Sequence, residues 1–78
     1  MKKLRFSAKY TRLLKALRES RRQAGLTQTE VAEHFGAHAS FISKIESGER
    51  RIDVVELAEL CRLFGVSLVE FLNRAGIE

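Results

Sequence analysis

The 78-residue sequence contains no proline, a single cysteine and no apolar run approaching the roughly 18 residues of a membrane-spanning helix. Each scarcity closes off a class of protein. Without such a run, a membrane-embedded chain is not expected. With Cys61 alone, no internal disulfide forms, so the fold does not rely on an oxidising compartment, and a cytoplasmic location fits. Cys61 itself lies among apolar neighbours and reads as a small buried hydrophobe rather than a nucleophile. No proline and no low-complexity tract divide the chain, and at this length one core is all that can be built. Enzyme clefts seldom fit in so little material. There is no glycine-rich phosphate loop and no nucleophile with an evident base and orienting acid. Neither catalysis nor a cofactor is therefore expected.

Acidic residues are scarce in the first third. Residues 1–27 carry nine Lys/Arg against Glu19 alone, a net +8, whereas residues 53–78 carry Arg62 and Arg74 against five acids, a net −3. The first stretch favours a polyanion and the last does not, which suggests a binding side and a non-binding side. A basic amphipathic start also describes a mitochondrial presequence or a membrane-surface helix. Here the apolar period continues through Tyr10, Leu14, Leu17, Arg21 and Ala24, which joins the stretch to the domain as a first helix. The organisation expected is a loose basic arm over 1–8, either solvated or reaching phosphates, then a domain over 9–75 and a short tail over 76–78.

Helix ends are legible from capping chemistry. Thr27 with Glu30, Asp53 with Glu56 and Ser67 with Glu70 have the spacing of capping boxes, in which a cap side chain and the acid three residues on satisfy orphan amide donors. Gly25, Gly48, Gly65 and Gly76 each follow an apolar-periodic segment, where a left-handed C-terminal cap is wanted. The spacing predicts an all-α domain of five helices, over about 9–24, 28–35, 39–47, 54–64 and 68–75. Val54, Leu57, Ala58, Leu60, Cys61 and Phe64 are the expected core line of the fourth helix, and Leu68, Phe71 and Leu72 that of the fifth. Val69, Phe71, Leu72 and Ile77 exceed what one short terminal helix needs to dock, leaving surface for a second copy.

The stretch Thr27–Gly48, TQTEVAEHFGAHASFISKIESG, organises the rest. Counted from Gln28, it has Ala32 at the fifth position, Gly36 at the ninth, and Ile42 and Ile45 at the fifteenth and eighteenth. Two short helices that cross steeply over a tight turn need this set: a small residue for close approach, a glycine for left-handed backbone, and branched side chains in the seam. Val31 and Phe35 complete the inner face of the first helix. An ordinary helical hairpin without a ligand shares the spacing, since alanine, glycine and paired isoleucines are common. A helix-turn-helix over 28–47 is the sharper reading.

With Ile42 and Ile45 inward, the third helix turns Ala39, Ser40, Ser43, Lys44 and Ser47 outward. Serine donates or accepts, alanine contacts a thymine methyl, and lysine reaches guanine acceptors or a phosphate, although the same face also reads as a plain solvated one. Gln28 opens the preceding helix, where amide donors and the positive dipole end suit a phosphate. Arg50 and Arg51, just past Gly48, flank the groove as backbone clamps. The residue before the third helix is His38, a poor cap, so its first turn is expected to fray until DNA orders it. His34, His38 and Glu30 have carboxylate and imidazole at metal-like spacing, but the turn at Gly36 separates the two histidines, and Glu33 and Cys61 complete no convincing ligand set.

The run GLTQTEVAEHFGAHASFISKIESGERRIDVVELAELCRLFGVSLVEFL closely resembles the XRE family, the Cro and phage-repressor type of five-helix DNA-binding domain, over about Leu14 to Leu72. The resemblance implies a lambda-repressor-like fold and a partly buried structural ion pair between Arg21 and Glu46. It implies a phosphate contact from Gln28, base reading by Ala39, Ser40 and Lys44 with Ser43 beside them, and backbone contacts from the loop Ser47 to Arg51, which holds Arg50 and Arg51. His38 and Ala39 stand where the family often has a serine or threonine cap and a glutamine, so sequence preference is not transferable from relatives. The function expected is a bacterial or phage transcriptional regulator, a repressor by type, binding double-stranded DNA at an operator as a homodimer. The alternative is an antitoxin or coactivator-like module whose main partner is a toxin or another protein and whose base readout is weak.

Overall fold

Five helices, α1 (Ala8–Gln23), α2 (Gln28–His34), α3 (Ala39–Ser47), α4 (Val54–Phe64) and α5 (Leu68–Ala75), make up the ordered frame of the computed structural model, which describes residues 7–77. The expected basic arm lies mostly outside the described residues. Helix α1 begins one residue earlier than the pattern suggested because Ser7 caps it, its hydroxyl accepting from the Tyr10 amide at 3.1 Å. The boxes at Thr27/Glu30 and Asp53/Glu56 are both reciprocal. At Ser67 only half a box forms: Ser67 accepts from the Glu70 amide, while the Glu70 carboxylate pairs with Arg74 one turn on, at 2.9 Å. At Glu70 the charge-assisted bond to Arg74 takes the place of the return bond to the cap amide.

Helix α1 is the strut of the molecule. It packs against α3, α4 and α5, while α2 lies on α3. Phe71, Leu17, Ile45, Val31 and Cys61 are the largest side chains sealed at the centre. The α1 stripe is wider than its predicted period. Leu13, Ala16 and Ser20 are buried along with Tyr10, Leu17 and Arg21, whereas Ala24 is exposed. Arg12 reaches across to donate to the Ala75 and Gly76 carbonyls at 3.2 and 3.4 Å, satisfying acceptors left open at the end of α5. The Tyr10 hydroxyl accepts from the Ile52 amide at 3.3 Å and ties the α3–α4 loop to the strut.

Two core assignments on α4 fail, and the surplus on α5 shrinks. Val54 is 67% exposed and Ala58 is also exposed, so the buried line of α4 runs through Leu57, Leu60 and Cys61 instead. On α5, Phe71 is fully buried and Leu72 and Ile77 pack partly against the core, so the surplus apolar surface there reduces to Val69, 69% exposed.

The turn from α2 to α3 follows from Gly36. Its φ of +66° belongs to the left-handed region, and this lets the Gly36 amide donate to the Glu33 carbonyl at 3.0 Å and the Ala37 amide to the Ala32 carbonyl at 2.9 Å. That pair of bonds is a Schellman closure, which ends α2 within one residue and releases the chain at a steep angle into α3. Ala32, fully buried, presents only a methyl where α3 crosses, and Ile42 and Ile45 fill the seam. Phe35 and Phe41 close its outer edge, with ring centroids 5.6 Å apart.

Candidate nucleic-acid interface

Burial of Ile42 and Ile45, 3% and 1% exposed, fixes the rotation of α3 and so decides what it displays. Ser40, Lys44 and Ser47 are exposed, and Ala39 and Ser43 are half-buried at the edge of the same face. The serines are not equivalent. The Ser43 hydroxyl donates to the Ser40 carbonyl at 3.2 Å and the Ser47 hydroxyl to the Lys44 carbonyl at 3.1 Å. With its proton engaged, Ser43 keeps its lone pairs to accept from an amino group, such as N6 of adenine or N4 of cytosine, whereas Ser47 Oγ also accepts from the Glu49 amide at 3.4 Å and so has one lone pair fewer to offer. Ser40 has no such bond among the described residues and is free to donate. No side chain caps the start of α3, since His38 makes no cap hydrogen bond.

Beneath that face lies a three-helix polar knot. Arg21 of α1 donates from Nε to Glu46 Oε2 at 2.6 Å and from Nη2 to Oε1 at 3.1 Å, and its Nη1 donates to the Leu26 carbonyl at 2.9 Å. Both partners are 8% exposed. Gln28, the first residue of α2, donates from Nε2 to the same Oε1 at 3.0 Å. The expected phosphate ligand is thus tethered to the recognition helix and keeps its second amide hydrogen, while the capping box already takes the Thr27 and Glu30 amides and leaves only those of Gln28 and Thr29 open at the start of α2. Nothing in the sequence marked the Gln28–Glu46 contact, because residues 18 apart meet only once the crossing angle is set.

The arginines after Gly48 divide. Arg50 is bidentate to Glu56 at 3.2 and 3.0 Å, donates to the Arg51 carbonyl and stacks over Phe41 at 4.7 Å. The Glu56 hydrogen bond raises the Arg50 pKa and holds the Glu56 carboxyl below its usual range. A guanidinium so occupied is a brace for the loop more than a free clamp. Arg51 lies over the Tyr10 ring at 4.3 Å with no acid on it among the described residues, so it retains its hydrogen-bond donors for a phosphate.

The histidines with metal-like spacing go elsewhere. His34 Nε2 meets Glu59 of α4 at 2.6 Å, and Arg62 joins the same carboxylate at 2.9 Å. Arg62 and then His34 lower the Glu59 pKa to about 2. His38 and Glu30 take no part, and no metal-sized group of His, Cys, Asp and Glu occurs among the described residues. Burial raises the Cys61 thiol pKa, consistent with an inert sulfur. Among the described residues, no helix is long and apolar enough to cross a membrane.

A turn-linked helix pair that exposes a small polar face, braced from behind by a third helix, defines a helix-turn-helix domain. Known proteins agree. A family described as "Helix-turn-helix domain" matches residues 11–72. An XRE-family-like protein from Pseudomonas syringae pv. tomato superposes with a TM-score of 0.80 at 42% identity, over 88% of this chain and 84% of its own. A Sinorhizobium fredii protein named as an uncharacterized HTH-type transcriptional regulator, y4dJ, is 42% identical over 53 residues, which are 68% of this chain and 69% of that protein. The chain belongs to the helix-turn-helix family, and within it is an XRE-like domain with the all-α, five-helix, lambda-repressor-like fold.

Proposed function

We propose that the protein is a transcriptional regulator that binds duplex DNA, laying α3 in the major groove at each half of an operator as a homodimer, with repression as its simplest mode of action. The observation that carries this reading is the outward face Ser40, Ser43, Lys44 and Ser47, set on a buried helix crossing and free of acidic partners among the described residues. In this reading Ala39, Ser40, Ser43 and Lys44 meet base edges, while Gln28, Ser47 and Arg51 hold phosphates and Arg50 shapes the loop. Arg21 and Glu46 set the helix angle. One module buries only about 600–1,000 Å² on DNA, so two copies about 34 Å apart supply useful affinity. The two shorter dimensions of the protein, 24 and 19 Å, let two copies sit side by side at that spacing.

A protein partner is the second reading. It draws on Val54, Val55 and Val69, each about two-thirds exposed or more, and fits an antitoxin or a coactivator-like bridge.

Selection of bound duplexes from a random library tests the choice. A palindrome with a specificity ratio near 10³ or above supports a regulator, whereas steep salt dependence without preference supports a bridge. Lys44→Ala with Ser40→Ala is expected to abolish preference and keep salt-sensitive background binding, while Arg51→Ala weakens all duplexes alike. The reverse pattern would mean the reading face lies elsewhere.

A further inference from the structure

The basic start of the chain is not spread evenly around α1. Thr11, Lys15 and Arg18 follow one another at spacings of four and three, so they lie in a row along one side of the helix. That row forms one wall of an open groove of about 480 Å³, whose other wall is the C-terminal end of α3 with Glu46, Ser47 and Gly48. Most arginines of the protein are committed internally: Arg12 to the end of α5, Arg21 to Glu46, Arg50 to Glu56, Arg62 to Glu59 and Arg74 to Glu70. Lys15 and Arg18 make no ion pair or side-chain hydrogen bond among the described residues. The carboxylate at the groove, Glu46, already takes two bonds from Arg21 and one from Gln28, so no acid lining the groove is left to pair with Lys15 or Arg18. Gly48 keeps it open, because a Cβ there would lie 3.1 Å from Leu14 Cδ1.

We propose that this groove is a second phosphate track, which takes the DNA backbone flanking the outer end of each half-site. The proposal rests on the DNA reading above and adds to it contacts from α1. Ser47 belongs both to the exposed face of α3 and to the groove, so a strand lying against α3 runs into the groove without a break. From Thr11 to Arg18 is roughly 10 Å of helix axis at 1.5 Å per residue. That is room for a short run of backbone phosphates along one strand. The wall offers flexible cations and a hydroxyl and no buried donor, which suits a moving line of phosphates and not a small anion held in a fixed shell. The track adds affinity and register without reading sequence, and it lengthens the footprint beyond the bases that α3 touches.

The test compares wild type with Lys15→Gln and Lys15→Gln/Arg18→Gln on a selected duplex in two lengths, one ending at the outer edge of the half-sites and one extended by about ten base pairs on each side. On the extended duplex the salt slope of log affinity should become shallower by about 0.9 for the single variant and about 1.8 for the double. Base preference, and all binding to the trimmed duplex, should stay as in wild type. Unchanged slopes on the extended duplex overturn the track, as does an equal loss on the trimmed one, which would place the two cations over the half-site. Saturable inorganic phosphate binding that the double variant abolishes, with DNA slopes unchanged, would make the groove a small-anion site and also overturn it. Failure of wild type to prefer any duplex would strike the DNA reading instead. The single variant alters one exposed lysine, so its slope remains readable if the double variant folds poorly.

Discussion

Replacing Glu46 with alanine should be among the most damaging single changes available to this protein, and the hydrogen bonds set the scale. The substitution removes both oxygens that hold Arg21 Nε and Nη2 and the acceptor of Gln28 Nε2, and it leaves a guanidinium 8% exposed with only the Leu26 carbonyl as a partner. Breaking a buried ion pair from one side costs about 3–5 kcal/mol, because the remaining charge stays desolvated. A domain of this length has a total stability of roughly 4–12 kcal/mol. Glu46→Ala should therefore be largely unfolded in modest urea, and Arg21→Ala nearly as much. The informative variant is the double replacement Arg21→Met/Glu46→Leu, which removes both charges and refills the space. A buried pair exchanged for apolar residues of similar volume is often close to neutral, so the double should be more stable than either single alanine variant. Urea titrations of the four proteins at equal ionic strength supply the comparison. Single variants within about 1 kcal/mol of wild type, or a double variant as unstable as the sum of the two singles, would refute the reasoning: the first would mean the pair is effectively solvated, the second that each partner acts through packing.

Acid should weaken the link between α2 and α4. Glu59 titrates at about 2 instead of 4.5, so its bonds to Arg62 and His34 contribute stability above about pH 4.5 that is lost as pH falls toward 2; Glu56, lowered by Arg50, acts in the same sense. Thermal melts across that window should fall less steeply for Glu59→Gln than for wild type, and parallel curves would count against the linkage. Gly48→Ala should lower stability by about 1–2 kcal/mol, since a left-handed φ of +86° is strained for a side chain and its Cβ meets Leu14. Gly25→Ala, with φ +74° and open space, should cost less, and equal losses would show the Leu14 contact to be irrelevant. Amide exchange at Ala39–Phe41 should be fast in the free protein and slowed by DNA, while His38→Ser should slow it and add about 1 kcal/mol; equal protection with and without DNA would remove the idea of a frayed first turn.

What was legible in the sequence was whatever the local chain decides. Thr27 and Asp53 mark their helix starts because cap and acid lie three residues apart, and Gly36 marks the turn because one residue must take a left-handed φ. The face of α3 followed from two isoleucines. What was not legible depends on neighbours distant in sequence. Val54 and Ala58 keep the period of a core line, but whether a period is buried depends on how far the opposing helix extends. Glu70 has the spacing of a box, yet Arg74 at the next turn competes for it. Arg50 has the position of a clamp, yet Glu56 lies six residues on, where the loop folds back. Lys15 and Arg18 were counted as charge, and only the packing of α1 beside the end of α3 makes them one wall of a groove.

Stability and readout meet at one carboxylate. Glu46 holds Arg21 from the strut and Gln28 from α2, while the neighbouring Ser47 belongs to the exposed face. The angle at which α3 stands out is therefore set by the same bonds that keep a buried charge satisfied, and it cannot drift without breaking them. A phosphate arriving at the start of α2 would meet a glutamine already oriented by that carboxylate, so less side-chain entropy is lost on contact than with a free side chain. Gln28→Ala should then weaken DNA binding with little change in stability, since Glu46 keeps both Arg21 bonds, whereas Glu46→Gln should disturb both. If instead Gln28→Ala destabilised the fold as much as Glu46→Gln, the amide would be a member of the core network and its availability to DNA would be lost.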